Sequence, residues 1–148
     1  MRLPLWILAT PLLAFAGHAS AEPQFQSAAP IAYVVDMASG RVLLNENAQK
    51  PIPPASMAKM MTAYVVFDLL QRGKLDANTK FRVRPATWKR WNNTGSSMFL
   101  KANEEVRVSD LLHGLISLSG NDAAIVLAEG AAGSEADFTD KMNTAAAH

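Results

Sequence analysis

From Met57 to Leu70 the chain runs without glycine or proline, and Pro51-Ile52-Pro53-Pro54 stands just before it. The prolines fix φ and lack amide donors, so they end any strand and deliver the chain to a helix. Ser56 falls at or beside the N-cap, and Gly73 beyond Leu70 serves as a C-cap. Met57, Met60, Met61, Tyr64, Val65, Val66, Phe67, Leu69 and Leu70 cover most of the helix circumference. A helix apolar nearly all round is expected to be a buried central helix.

The flanking segments arrange themselves around it. Ile31 to Asp36 reads as a buried strand, Met37-Ala38-Ser39-Gly40 as a turn, and Arg41 to Leu44 as the return strand of a hairpin. Phe81 to Arg84 alternates as a short strand, and Thr87 to Leu100 reads as irregular. Ser109 is placed as the cap of a helix over Asp110 to Leu118. A Ser119-Gly120-Asn121 loop follows, then a helix over Asp122 to Glu129. Gly130 and Gly133 separate that helix from a last one, which opens on Ser134-Glu135-Ala136-Asp137, similar to a capping box. No cap, glycine or proline closes this last helix before His148, which points to truncation.

The length of 148 residues suits one domain. A net charge of +1 gives no bulk attraction to nucleic acid. Cysteine is absent, which excludes a disulfide framework, a thiol nucleophile and a cysteine zinc site. The apolar fraction of 49% is raised by the first residues: Met1-Arg2, an apolar run from Leu3 to Ala16, then Ala19-Ser20-Ala21. That is the pattern of a secretory leader cleaved after Ala21. The run is too short, and too interrupted by Pro4 and Pro11, for a membrane span. Residues 1–21 are therefore expected to be a signal peptide and 22–30 a mobile lead-in. The mature chain would act outside the cytoplasm, in the periplasm or beyond.

Ser56-Met57-Ala58-Lys59 places a hydroxyl and an amine at i and i+3, on one helical face. A serine needs a base to become a nucleophile, and here that base would be a lysine. A free lysine has a pKa of ~10.4, and bringing it near neutrality costs about 4 kcal/mol, supplied by burial. Met57, Met60 and Met61 are candidates for that apolar cover. Ser119-Gly120-Asn121 adds a second hydroxyl and an amide. Taken singly, the motifs read better as a capping serine with a snorkelling lysine and as an ordinary polar loop. His113 has no partner motif, and no Gly-x-Ser-x-Gly, His-Glu-x-x-His or phosphate loop occurs. Lys80-Phe81-Arg82-Val83-Arg84 and Trp88-Lys89-Arg90-Trp91 mix basic and aromatic residues. They read as a solvated strand and a cleft-lining loop rather than a single-strand nucleic-acid patch.

Together the motifs resemble those of the D-alanyl-D-alanine carboxypeptidases, the low-molecular-mass penicillin-binding proteins. Ala32-Tyr33 to Gly40-Arg41-Val42-Leu43 resembles the family's opening hairpin, and Pro54 to Thr62 its nucleophile helix. Gly95 to Leu100 resembles the segment beneath its cleft, Leu118 to Ala124 its second motif, and Phe138 to Asn143 the helix that follows. The resemblance implies an α+β, β-lactamase/penicillin-binding-protein-like fold, an antiparallel sheet with a helical subdomain. Residues 31–148 would be a partial catalytic domain of it. It implies that Ser56 is the acyl-ester nucleophile, Lys59 its base, Ser119 the hydroxyl that relays a proton, and Asn121 the amide that holds the substrate carbonyl. The implied substrate is a peptidoglycan stem peptide ending in D-Ala-D-Ala, with β-lactams acylating the same serine and no metal or organic cofactor required.

The family's third motif, a Lys-Thr-Gly strand that grips the substrate carboxylate, does not occur in this sequence. The expectation is an N-terminal fragment, truncated before the C-terminal strands and inactive alone, whose membrane anchor would lie in missing sequence. The opening hairpin would then show an unpaired edge. The rival readings are a class A β-lactamase, against which Gly120 argues, a D,D-endopeptidase, and a non-catalytic peptidoglycan-binding fragment.

Overall fold

A computed structural model describes residues 26–147. The expected leader, its cleavage point and the start of the lead-in lie outside the described residues. The chain divides into a hairpin unit ending at Ile52 and a helical unit beginning at Pro53. The first holds β1 (Ala32–Val35) and β2 (Val42–Glu46). The second holds a 3-10 turn (Ala55–Met57), α1 (Ala58–Gln71), β3 (Lys80–Arg82), α2 (Pro85–Trp91), β4 (Glu105–Arg107), α3 (Val108–Leu118), α4 (Asn121–Ala132) and α5 (Glu135–Ala146). This is the α+β composition expected. No helix among the described residues is long and apolar enough to cross a membrane.

β1 and β2 pair antiparallel, Ala32 opposite Glu46 and Val34 opposite Leu44, with a bulge between Val34 and Val35. Asp36 organises the turn. Its amide donates to Arg41 O at 2.9 Å, its carbonyl accepts from Gly40 N at 2.8 Å, and its carboxylate accepts from the Ser39 hydroxyl and the Ala38 amide. Those two contacts, the Ser39 hydroxyl first, hold the Asp36 carboxyl below its ordinary value. The expectation of a buried strand over 31–36 is corrected. Among the described residues β1 has only β2 for a sheet partner, and Tyr33 and Val34 are 56% and 45% exposed.

The helical unit is built on α4, which packs against α1, α2, α3, α5 and β3. Its Ala123, Val126, Leu127 and Ala128 are buried with Val66, Leu111 and Phe138 from the surrounding helices. α1 is therefore not the central helix. It buries Thr62, Val65 and Val66 on one side, while Met60, Tyr64 and Phe67 are all at least half exposed on the other, Met60 at 74%. The apolar girdle of α1 exceeds what the helices of this unit cover.

Two elements escaped the sequence reading. α2 occupies part of the stretch expected to be irregular, and Pro85 opens it at a first-turn position, where a missing amide is harmless. Thr87 Oγ1 donates to both carboxylate oxygens of Glu129 at 2.9 and 2.8 Å and docks α2 on α4. β4 pairs antiparallel with β3, Phe81 opposite Val106 and Arg82 opposite Glu105, with the apolar pair buried and the charges outside.

The helix starts also differ from expectation. Neither Ser56 nor Ser109 caps a helix with its side chain. Ser56 lies inside the 3-10 turn. α3 begins at Val108, and the amides of Val108 and Ser109 donate to Thr79 O and Ala77 O at 2.9 and 3.0 Å. Loop carbonyls satisfy those donors, so no serine is needed for them. Ser134 does cap α5, its Oγ accepting from Asp137 N at 3.0 Å and donating to Asp137 Oδ2 at 2.6 Å.

Gly130 is not a separator, since α4 runs through it to Ala132 and ends at Gly133, φ 91°. A Cβ on Gly130 would stand 2.1 Å from the Phe81 ring. Gly130→Ala is accordingly expected to lower unfolding stability by about 1–3 kcal/mol, read from urea denaturation. Ser134→Ala, which removes an exposed cap without touching the core, is expected to cost about 1 kcal/mol in the same measurement.

Candidate active site

Lys59 stands in the first turn of α1, and the α3–α4 junction comes to meet it. Ser119 ends α3 in the left-handed conformation, φ 53°, Gly120 precedes α4 as its N-cap, and Asn121 is its first residue. This reversal puts three oxygens on one ammonium. Lys59 Nζ donates to Asn121 Oδ1 at 2.6 Å, to Ser119 Oγ at 3.0 Å and to the Ser119 carbonyl. An ammonium has three donors, and these acceptors take all of them. The two motifs, far apart in sequence, are thus joined through the lysine.

Asn121 is fixed at both ends of its side chain. While Oδ1 accepts from Lys59, Nδ2 donates to Thr94 O at 3.0 Å, and the Asn121 backbone amide donates to Ser96 O at 2.8 Å. One N–H of the side-chain amide remains for another partner.

Ser56 takes none of these three hydrogen bonds. It is exposed on the 3-10 turn, and Lys59 makes its hydrogen bonds to Ser119 and Asn121 rather than to it. Ala55, immediately before it, holds φ 48°, a left-handed conformation that costs a non-glycine residue roughly 1–2 kcal/mol. The spacing still sets Ser56 and Lys59 one turn apart at the entrance of α1.

The expected methionine cover does not surround Lys59. Met57 is 58% and Met60 74% exposed, because residues one or two positions away on a helix do not face each other. A cavity of about 180 Å³ runs beside Lys59 instead, lined by Ala58, Trp91, Ala124, Ile125 and Phe138 among others. Burial lowers the Lys59 pKa from its ordinary value, and the Asp122 charge pushes it back up in part. A larger cavity of about 640 Å³ lies between α1 and α5 near Asp68, Arg72 and Asp140, and Lys59, Ser119 and Asn121 do not line it.

Asp122 was not singled out in the sequence, although an acid in the first turn of a helix is a favoured placement. It is 6% exposed and fully bonded. Oδ1 accepts from Ala123 N at 2.9 Å and Met98 N at 3.1 Å, and Oδ2 accepts from Ser97 Oγ at 2.7 Å and Leu100 N at 3.1 Å. Burial raises its pKa, but the Ser97 hydroxyl and the three backbone amides outweigh burial and leave it lowered. His113 is exposed on α3. The basic–aromatic stretch forms α2 and its flank, where the Arg90 guanidinium lies 5.1 Å from the Trp91 ring centre and 3.2 Å from Glu135. No cluster able to hold a metal ion occurs among the described residues.

Comparison with known proteins places the chain. Residues 17–148 match the family model described as D-alanyl-D-alanine carboxypeptidase. The chain is 43% identical over 113 residues to D-alanyl-D-alanine carboxypeptidase DacC of Escherichia coli, covering 74% of this chain and 28% of that one. The structure of the carboxypeptidase DacD from Francisella tularensis superposes with a TM-score of 0.71 at 33% identity, over 83% of this chain and 29% of the other. Penicillin-binding protein D2 of Listeria monocytogenes, solved in its ampicillin-bound form, gives 0.67 at 28% identity, over 84% and 48%. The chain therefore spans less than half the length of each of these three, and the fold it shares with them is that of the penicillin-binding proteins. By its matched length and the order of its motifs, the chain belongs to the D-alanyl-D-alanine carboxypeptidase family.

Proposed function

We propose that this chain carries the nucleophile half of a serine-type D-alanyl-D-alanine carboxypeptidase acting on peptidoglycan stem peptides. The observation that carries the reading is the convergence of Ser119 and Asn121 on Lys59. A lysine bonded to a hydroxyl and a side-chain amide, with its pKa lowered by burial and a second serine one helical turn before it, has the parts of an acyl-transfer site that uses no histidine.

The chemistry follows from the roles those groups can take. Ser56 Oγ attacks the carbonyl carbon of the penultimate D-alanine while neutral Lys59 takes its proton. Asn121, braced by Thr94, uses its remaining N–H to hold the substrate's peptide carbonyl. The C–N bond breaks, and the leaving nitrogen of D-alanine receives a proton through Ser119 Oγ, which is 3.0 Å from Lys59 Nζ. The resulting Ser56 ester is then cleaved by water. A β-lactam would enter the same sequence, with the ring C–N bond breaking and the ester persisting. The resting arrangement, in which Lys59 donates three hydrogen bonds, is that of the ammonium. Reaction needs its deprotonated form.

Residues 1–21 complete the reading as an export signal, so the substrate would be met outside the cytoplasm. No Lys-Thr-Gly strand occurs in these residues to grip the substrate carboxylate. D-alanine release by this chain alone is expected to fall below detection.

Incubation with a fluorescent penicillin followed by intact mass is expected to give one adduct, on Ser56, absent from Ser56→Ala. Lys59→Arg, which cannot lose its proton at accessible pH, is expected to slow adduct formation by about 10²-fold or more. An adduct on another residue, or none on a cooperatively folded chain, would overturn the assignment. The labelling rate of the unaltered chain is expected to rise with pH as Lys59 loses its proton. Because burial lowers its pKa, that rise should be centred below the pH at which a surface lysine titrates.

A further inference from the structure

The segment 94–100 is stitched to the start of α4 by two neighbouring side chains. Asn121 holds Thr94 O and Ser96 O through its side chain and its own amide. Asp122 holds Ser97, Met98 and Leu100 through its carboxylate. The fit is tight on both sides. A Cβ on Gly95 would stand 2.8 Å from Asn121 Nδ2, and a Cβ on Gly120 would stand 3.0 Å from Asp122 Oδ1. The carboxylate thus lies directly under the Ser119-Gly120-Asn121 turn, and the small residue in the middle of that motif leaves it room. Phe99 adopts the left-handed φ of 61° here, its amide donating to Ser97 Oγ at 2.9 Å.

We infer that Asp122 is a positioning residue of the site: its carboxylate pins segment 97–100 beneath the α3–α4 turn and so fixes where Ser119 and Asn121 meet the Lys59 ammonium. The inference rests on the acyl-transfer reading above. Asp122 touches no reacting atom and acts through its neighbours. A buried carboxylate is costly unless fully bonded, and an apolar residue would fill the same core space without that cost. What the carboxylate adds is four hydrogen bonds of fixed direction and one negative charge near the lysine. The charged groups around Lys59 are Asp122 from α4 and Glu135 of α5, which lines the same cavity and is paired with Arg90 of α2. Asp122 is the one whose charge acts on the lysine without an ion-pair partner of its own.

Two substitutions separate bonding from charge. In Asp122→Asn the Oδ1 position still accepts from Met98 and Ala123. The amide nitrogen at the other position can donate to a rotated Ser97 hydroxyl, but it leaves the Leu100 amide without an acceptor. Leu100 amide exchange is expected to accelerate about tenfold or more while Met98 changes little. Loss of the negative charge favours the neutral amine, so the Lys59 titration, followed by the NMR shift of its ε carbon, is expected to move to lower pH. The acid limb of penicillin labelling should follow it, with a reduced plateau. Ser97→Ala keeps the charge. It should speed exchange at Phe99, lower the labelling plateau and leave the Lys59 titration in place.

Exchange and titration in Asp122→Asn that match the parent chain would overturn the inference. So would a Leu100 amide exchanging at the random-coil rate before any substitution. If Asp122→Asn does not fold, Ser97→Ala decides, and an unchanged labelling plateau overturns the positioning role. A folded parent chain with Leu100 protected and Lys59 responding to Asp122→Asn, yet with Ser56 unlabelled, would overturn the acyl-transfer reading and uphold the placement of the lysine.

Discussion

Small side chains on α4 set the distances in this molecule. Ala123 and Ala128 are buried against neighbouring helices, and Gly130 lets the Phe81 ring lie where a Cβ would be. Four helices and a strand can approach one helix only if its own side chains leave room for them. That close approach carries the start of α4 up to the start of α1. The site therefore inherits its geometry from packing some distance away. A looser α4 would leave the same motif residues in the sequence without bringing their atoms together.

The second constraint is electrostatic. Two opposite charges are removed partly from water near the α3–α4 turn, and each is stabilised differently. Asp122 is saturated by hydrogen bonds from one serine and three backbone amides. Lys59 is saturated by oxygens of Ser119 and Asn121. The carboxylate thus stays charged, while the lysine is held nearer to giving up its proton. A lysine proposed as a base, neutral in reaction and an ammonium at rest, needs both influences. Burial makes the proton removable, and the acceptors keep the amine aimed.

Much of the fold was legible along the chain. The hairpin, the α1 span and the reversal at Ser119-Gly120-Asn121 follow from turn residues and apolar periodicity. So does the Ser134 cap, and all of these act over a few residues. The misreadings share a cause. Ser109 has the composition of a cap, but the start of α3 donates to loop carbonyls that only the folded chain provides, and Ser56 lies inside a 3-10 turn whose amides bond to local carbonyls. β4 is three residues long and exists because β3 lies beside it. Segment 94–100 has no periodicity because its order comes from Asp122 and Asn121, more than twenty positions away.

The sequence by itself determined the family, the two motifs and the order of the longer helices, since spacing and residue type are properties of the chain. Tertiary structure decided which helix is central, that Lys59 bonds to the second motif rather than to Ser56, and that the Asp122 carboxylate gathers segment 97–100. Those outcomes depend on which surfaces meet and which charges lose water. Both are settled when distant segments come within a few ångströms, and neither can be read from local pattern.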